Sequence, residues 1–302
     1  MDSRFFFRKI HRLAKPRVLL LMEAELWPNH LLYCARRRMM LALINARMSE
    51  RSYRRYQKFR FLFSRVLGAL DLITLQSEAD RDRVERLGAR RNALIVIGSL
   101  KYGAAGAIDE AKRAKLLADL SFLRSRPVLV GASTHAGEEE ILIETWRELK
   151  RNHADLGLVL APRHVERKSE LIRMLGEKQV PFVCRSVPGS GSDVVLLDTT
   201  GDLRYLYELA TIVFVGKSLC GEGGQNLMEP AWYGKPIVFG PNMQNFRPIV
   251  EDFLKANAAV QIPDRAALVP ACKELLNGSG EELGKRAKAL MEEKKDVLGK
   301  TV

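Results

Sequence analysis

The chain has 302 residues, 47% of them hydrophobic, and a formal net charge of +13 from 49 basic and 36 acidic side chains. That length allows about two domains, and that apolar content can bury real cores, which excludes a disordered chain. The basic excess favours polyanions of any kind: nucleic acid, nucleotide phosphates or an anionic membrane surface.

The basic residues are densest at the front. Arg4, Arg8, Lys9, Arg12, Lys15 and Arg17 surround Phe5, Phe6 and Phe7, and further clusters run from Arg36 to Arg38 and from Arg47 to Arg60. They read either as solvated helix faces or as a contact with anionic lipid. Nucleic acid is not expected, because no helix-turn-helix, RNP or KH signature is present. No apolar h-region of a signal peptide is seen, and no run approaches the roughly 20 apolar residues of a spanning helix. The four cysteines, Cys34, Cys184, Cys220 and Cys272, are scattered without a CxxC pair, as in a reducing compartment. His11, His30 and His153 are not spaced like ligands with one another, so neither a metal site nor a cofactor is expected.

Taken in chain order, Arg17–Met22 and Leu41–Asn45 are apolar and strand-sized. Ser49 opens a long helical stretch to about Leu70, Leu72–Leu75 is a further strand, and Ser77 caps a helix with an acidic first turn that stops near Gly88. Ala93–Ile97 is the next strand. This βαβα pattern predicts a parallel sheet covered by helices over residues 1–105. Residues 106–126 read as a linker carrying one helix. A second βα series fills 127–302. Its strands are Pro127–Val130, Gly157–Leu160, Pro181–Arg185, Val194–Leu197, Ile212–Val215 and Pro236–Phe239, with a helix from about Asn226 to Tyr233. The expected fold is α/β: two parallel-sheet domains joined by a linker, with a ligand in the cleft between them at the carboxyl ends of the strands.

The polar motifs of the second series fall just after strands. They are Ser133-Thr134-His135, Pro162-Arg163-His164, Asp198-Thr199-Thr200-Gly201-Asp202 and Gly221-Glu222-Gly223-Gly224-Gln225-Asn226. Such positions converge on one sheet edge, where helix N-termini favour anions. Arg163 and His164 add donors for a phosphate. Glu229 could accept two hydrogen bonds from a ribose diol, as acidic residues do in dinucleotide folds. Each also has an ordinary reading: Gly223-Gly224 as a turn, Glu229 as a helix first-turn acid, His135 as a helix cap, His164 as a surface histidine. Their joint placement favours a nucleotide site. In the first domain, Glu23 and Glu25 follow an apolar strand one residue apart. If the strand continues, both point to one face, where one could take an acceptor hydroxyl's proton; the alternative is that they pair with nearby arginines.

At these residues the sequence resembles the 3-deoxy-D-manno-octulosonic acid (Kdo) transferases. The matching stretches include MEAELWPN (Met22–Asn29), NARMSERSYRRYQKF (Asn45–Phe59), QSEADRDRVERLGA (Gln76–Ala89), GASTHAGEEE (Gly131–Glu140), APRHVER (Ala161–Arg167) and GGQNLMEPAWYGKPIVFGP (Gly223–Pro241). The resemblance implies a GT-B fold, two Rossmann-like domains across a cleft. It implies an inverting transfer of Kdo from CMP-Kdo to a lipid A precursor at the cytoplasmic face of the inner membrane. Its donor site would be carried by Ser133, Thr134, Arg163, His164, Gly223, Gly224, Asn226 and Glu229, with His135 and Gln225 beside them. Arg163 would neutralise the CMP phosphate, Glu229 would hold the ribose, and the Gly224–Asn226 helix start would donate N–H groups to the leaving group.

Two departures stand out. Gln225 replaces the His of the family's usual GGHN run, and Gln cannot be protonated. The family's Ser-Gly-Glu motif, whose glutamate resembles a general base, is not found, and the N-terminal domain looks incomplete. The strand Arg17–Met22 is then expected at a sheet edge with an exposed apolar face. This leaves three readings, a start that lies upstream, a separate chain that completes the domain, or a degenerate fragment; a non-catalytic CMP-sugar-binding subunit is the alternative function.

Overall fold

The computed structural model describes residues 4–23, 26–99, 102, 108–187 and 191–295. The chain divides into two compact units, Met1–Ala104 with Lys294–Val302, and Ala105–Glu293.

The first unit opens with α1 (Arg4–Ala14), β1 (Val18–Met22) and α2 (Pro28–Ala35), where Pro28 sits in the first turn, the one place in a helix that does not need its missing N–H. β2 (Met40–Ala46) follows. The stretch expected as one long helix is two, α3 (Glu50–Lys58) and α4 (Arg60–Gly68), because Phe59 leaves the helical region at φ −118°, ψ 34°. Ser49 caps α3 through the N–H of Ser52, and Ser77 caps α5 (Glu78–Arg86) through that of Asp80. With β3 (Leu72–Leu75) and β4 (Leu94–Val96) the strands form a wholly parallel sheet in sequence order, β1-β2-β3-β4.

Alternation along β1 divides its side chains between two environments. Leu19 and Leu21 pack against the core of Leu31, Leu41, Leu43, Leu67, Ile73 and Leu75. Val18, Leu20 and Met22 point the other way and are 46%, 64% and 54% exposed, alongside Met40 of the neighbouring strand. β1 is therefore an edge strand with one apolar face open. It ends at Met22: Glu23 turns into the left-handed region at φ 56°, its N–H donating to Ile44. The continued strand that would have aligned Glu23 with Glu25 is absent at Glu23, and Glu25 lies outside the described residues.

Residues 106–126, read from sequence as a linker, carry α6 (Glu110–Asp119), which belongs to the second unit. Arg113 of α6 makes a bidentate pair with Glu208, and the N–H of Asp109 donates to the Tyr205 hydroxyl at 3.0 Å. A helix anchored in this way is part of its domain rather than a tether.

The second unit then runs through β5 (Val128–Thr134), α7 (Glu138–Lys150), β6 (Gly157–Pro162), α8 (Lys168–Glu177), β7 (Phe182–Cys184), β8 (Val194–Leu196), α9 (Leu203–Leu206) and β9 (Ile212–Val215). It closes with α10 (Met228–Trp232), β10 (Ile237–Phe239), α11 (Arg247–Lys255), β11 (Val260–Gln261), α12 (Leu268–Glu274) and α13 (Gly280–Glu293). Its sheet is parallel throughout, in the order β11-β10-β9-β5-β6-β8-β7. The central strands are apolar on both faces, as strands covered by helices on both sides must be, and β6 and β9 are buried at every residue. The chain leaves β5 toward β6 on one side and later returns to β9 on the other. The order reverses between β5 and β9, and a crevice opens at such a switch point outside the carboxyl ends of the strands.

Candidate nucleotide-binding site

Three loops flank the switch point: those after β5, β9 and β6. At the end of β5, a bulge between Ala132 and Thr134 places Ser133 at φ 53°. A left-handed backbone at a residue with a side chain costs of the order of 1 kcal/mol and must be over-determined by its surroundings. Here the two flanking residues are fixed. Thr134 is fully buried, and its hydroxyl donates to Glu139 at 2.8 Å, while Ala132 accepts from the N–H of Gly216. Glu139 in turn binds Arg167 at 2.8 Å, so Thr134 belongs to a buried chain that ties β5, α7 and the start of α8. That hydroxyl, expected in the donor site, is committed to the scaffold.

Glu138, the first of three consecutive acids at the start of α7, organises the site. Its side chain is wholly buried and accepts from five backbone N–H groups. His135 donates at 2.9 Å and Lys217 at 2.7 Å to one oxygen; Ser218, Leu219 and Cys220 donate at 2.9, 3.0 and 3.3 Å to the other. One carboxylate thereby joins the turn after β5 to the loop after β9. The local signal was the spacing His135-x-x-Glu138, in which a glutamate reaches back to an N–H near the helix start. The bonds to residues 217–220 had no sequence signal.

The glycine-rich loop is held from beneath by residues 242–246. The N–H of Gly223 donates to the side-chain carbonyl of Gln244 at 2.7 Å, and Asn245 returns a bond to the Gly223 carbonyl. Gly224 donates to Lys217 at 3.1 Å. Gly223 and Gly224 sit at φ 110° and 72°, and a Cβ on either would lie 2.5 Å from Asn245 and 2.3 Å from Met243. Glycine is required twice over, by dihedral and by space. The expectation that the helix start at Gly224–Asn226 offers its N–H groups to a ligand is corrected on two counts. The N–H of Gly224 is used inside the loop and that of Gly223 by Gln244, and α10 begins only at Met228, with its first N–H taken by the Asn226 side chain at 3.0 Å. Asn226 also donates to Glu229 at 3.2 Å, holding that exposed carboxylate in place.

His135 and Gln225 meet at 3.3 Å between their Nε2 atoms, with the amide donating to the imidazole lone pair. The His164 ring stands edge-on to His135 at 5.6 Å. Burial pushes the His135 pKa down against the pull of Glu138, with Lys217, His164 and Arg167 adding to the fall. The imidazole is therefore neutral at neutral pH, the form that can accept from an amide. Arg163 starts the loop after β6, its N–H anchored to the Thr134 carbonyl at 3.0 Å. Its side chain is exposed and has no hydrogen bond or ion pair among the described residues, so its charge is available. The fourth motif stands apart. Asp198 follows β8, one strand beyond β6, and is paired with Lys168 and Ser186, while Thr199 donates to Asp202 at 2.7 Å. Those residues stabilise their own corner.

In the first unit, the structure brings together side chains that linear spacing kept apart. Ligand atoms of His11, His30 and Cys34 all lie within 4.8 Å of one another. No helix among the described residues is long and apolar enough to cross a membrane.

The chain is similar to known proteins over most of its length. The family described as 3-deoxy-D-manno-octulosonic-acid transferase matches residues 1–104. The 3-deoxy-D-manno-octulosonic acid transferase of Haemophilus influenzae is 31% identical over 99% of this chain and 71% of its own length. That of Rickettsia prowazekii is 31% identical over 92% of this chain and 60% of its own length. The bifunctional glycosyltransferase/methyltransferase of Fusobacterium nucleatum is 31% identical over 94% of this chain, which spans 45% of that protein. Among solved structures, the C-terminal CMP-Kdo binding domain of WaaA from Acinetobacter baumannii covers 60% of this chain and 98% of its own, with 30% identity and a TM-score of 0.56. Anabaena HepE in complex with UDP shares the fold at 15% identity, covering 97% of this chain and 78% of its own with a TM-score of 0.59. On this combined sequence and structural likeness, the chain belongs to the 3-deoxy-D-manno-octulosonic acid transferase family.

Proposed function

We propose that the second unit binds the CMP part of CMP-Kdo and that the chain serves the inverting transfer of Kdo to a lipid A precursor at the cytoplasmic face of the inner membrane. The observation that carries this reading is the placement of His135, Arg163, His164 and Gln225 on the loops flanking the β5–β9 switch point, with Ser133 at the end of β5 and Glu229 in the first turn of α10. The likeness of this region to the CMP-Kdo binding domain from Acinetobacter baumannii supports the choice of donor.

The chemistry assigns the roles. Breaking the bond from Kdo to the phosphate leaves CMP as an anion, and the protein's main task is to stabilise that charge as it develops. Arg163, fixed at its backbone and free at its guanidinium, offsets the phosphate charge. Glu229, steadied by Asn226, accepts from the ribose hydroxyls. The neutral His135–Gln225 pair supplies hydrogen bonds of fixed direction without adding charge. Inversion requires the acceptor hydroxyl to attack from the face opposite CMP and to lose its proton to a base. The exposed basic residues Arg8, Lys9 and Arg12 of α1 suit an anionic lipid surface.

Calorimetry with CMP, CMP-Kdo and UDP, followed by a transfer assay on a lipid A precursor, tests the reading. CMP-Kdo binding with transfer is expected. Equal affinity for UDP would remove the donor assignment, and binding without transfer would reassign the chain as a CMP-sugar-binding subunit.

A further inference from the structure

The geometry points to a zinc site formed by His11, His30 and Cys34, joining the N-terminal helix α1 to α2. His30 and Cys34 stand four residues apart on α2, one turn along the same face. His11 reaches them from α1, its Nε2 3.4 Å from the Cys34 sulfur. A tetrahedral zinc, with Zn–S of about 2.3 Å and Zn–N of about 2.0 Å, separates its ligand atoms by about 3.3 to 3.6 Å. The thiol–imidazole pair already has that separation, and the ligand atoms of the full trio lie within 4.8 Å of one another. Two imidazoles and a thiolate are ligands that zinc takes in preference to calcium or magnesium.

The surroundings hold the two rings in orientation. Phe7, one turn before His11, stacks on His30 with centroids 3.4 Å apart and planes 7° from parallel. Tyr33 packs edge-on to His11 at 5.0 Å. Cys34 is fully enclosed, which removes water from the sulfur side of the site. The Arg37 guanidinium opposes a cation here, but it is drawn over the Tyr33 ring at 4.6 Å, and a thiolate at Cys34 compensates one positive charge of the metal. Binding is a plain substitution. Zinc accepts a lone pair from each imidazole and from the sulfur, and the Cys34 proton leaves to water; no electron changes hands. Among the described residues no fourth His, Cys, Asp or Glu joins the group, so water completes the tetrahedron. α1 carries exposed Arg8, Lys9, Arg12, Ile10 and Leu13, and a metal clamp at its buried side fixes which face it presents to solvent.

Cobalt(II) titration of the reduced, metal-free full chain tests this. One cobalt per chain is expected, with a thiolate-to-cobalt charge-transfer band in the near ultraviolet and the intense visible bands of tetrahedral cobalt, all displaced by zinc. Cys34→Ser should abolish the charge-transfer band, and His11→Gln or His30→Gln should weaken cobalt binding at least tenfold. Zinc should raise the melting temperature of the parent chain and leave that of the variants unchanged. Absence of the band would overturn the site, and so would its survival in Cys34→Ser, since the metal would then rest on Cys184, Cys220 or Cys272. Should Cys34→Ser fail to fold, His30→Gln decides: undiminished cobalt affinity in that variant overturns the proposal, and a tenfold loss with an unchanged metal-free melting temperature supports it.

Discussion

The carboxylate of Glu138 accepts the backbone N–H of Ser218 at 2.9 Å, across eighty positions of sequence. That bond joins the first turn of α7 to the loop after β9, and it is one of five to the same side chain. Glu138→Ala would leave these N–H groups buried without a partner. We expect a loss of the order of 3 kcal/mol or more in the urea-unfolding free energy of the second unit. Glu138→Gln keeps one acceptor oxygen and turns an NH₂ toward the other donors, so it should lose about half as much. In both variants CMP affinity should fall; unchanged unfolding in Glu138→Ala would show that the loop finds other partners.

Arg163 is the opposite case, because its side chain is exposed and supports nothing else among the described residues. Arg163→Ala should leave the melting temperature within error and lower CMP affinity about tenfold, the scale of one charge-assisted hydrogen bond to phosphate. Affinity for cytidine without phosphate should not change. An equal loss for cytidine would remove the phosphate role.

At Gly224 a side chain meets both a forbidding dihedral and the Met243 sulfur. Gly224→Ala should therefore displace the loop, with a stability cost of about 1–3 kcal/mol and CMP affinity lowered at least tenfold. Met243→Ala removes the sulfur contact but neither the close backbone contact at 3.1 Å nor the strain at φ 72°, and should restore part of the stability in the double variant. Thermal denaturation of the four proteins measures the coupling.

The lowered pKa of His135 has a definite sign in stability. The unfolded chain protonates this residue near its ordinary value of 6.5, before the folded chain does. As the pH falls through that value, the unfolded state binds the extra proton and stability decreases; the loss is complete below the folded pKa. His135→Gln should abolish this component. The difference between parent and variant urea midpoints, followed downward from neutral pH, should shrink on acidification, and a constant difference would contradict the assignment.

The open face of β1 predicts behaviour of a different kind. Leu20 is 64% exposed on an edge strand, a combination that favours strand-to-strand association. Leu20→Lys should reduce concentration-dependent association in sedimentation velocity and change stability by no more than about 0.5 kcal/mol. Leu21→Lys, on the buried side of the same strand, should unfold the first unit.

The α/β class, every strand but β11, and the positions of His135, Arg163, His164 and Gln225 after strands were legible in the sequence, whereas Ser133 lies at the bulged end of β5 itself. Alternation of apolar runs with helical stretches is a local property, and a parallel sheet sends every post-strand loop to the same edge. The edge position of β1 followed from the family resemblance and not from that alternation. Which polar groups are left for a ligand was settled by the packing of the fold. Thr134 is taken by Glu139, the N–H of Gly223 by Gln244, and Asp198 by Lys168 and Ser186. The same packing turned Glu138 from a helix-start acid into the tie between two loops and brought His11 within reach of Cys34. The physical reason is the same in each case. A buried polar group must be satisfied by whatever folding brings beside it, and for residues 21, 23 or 80 positions apart no local pattern records that neighbour.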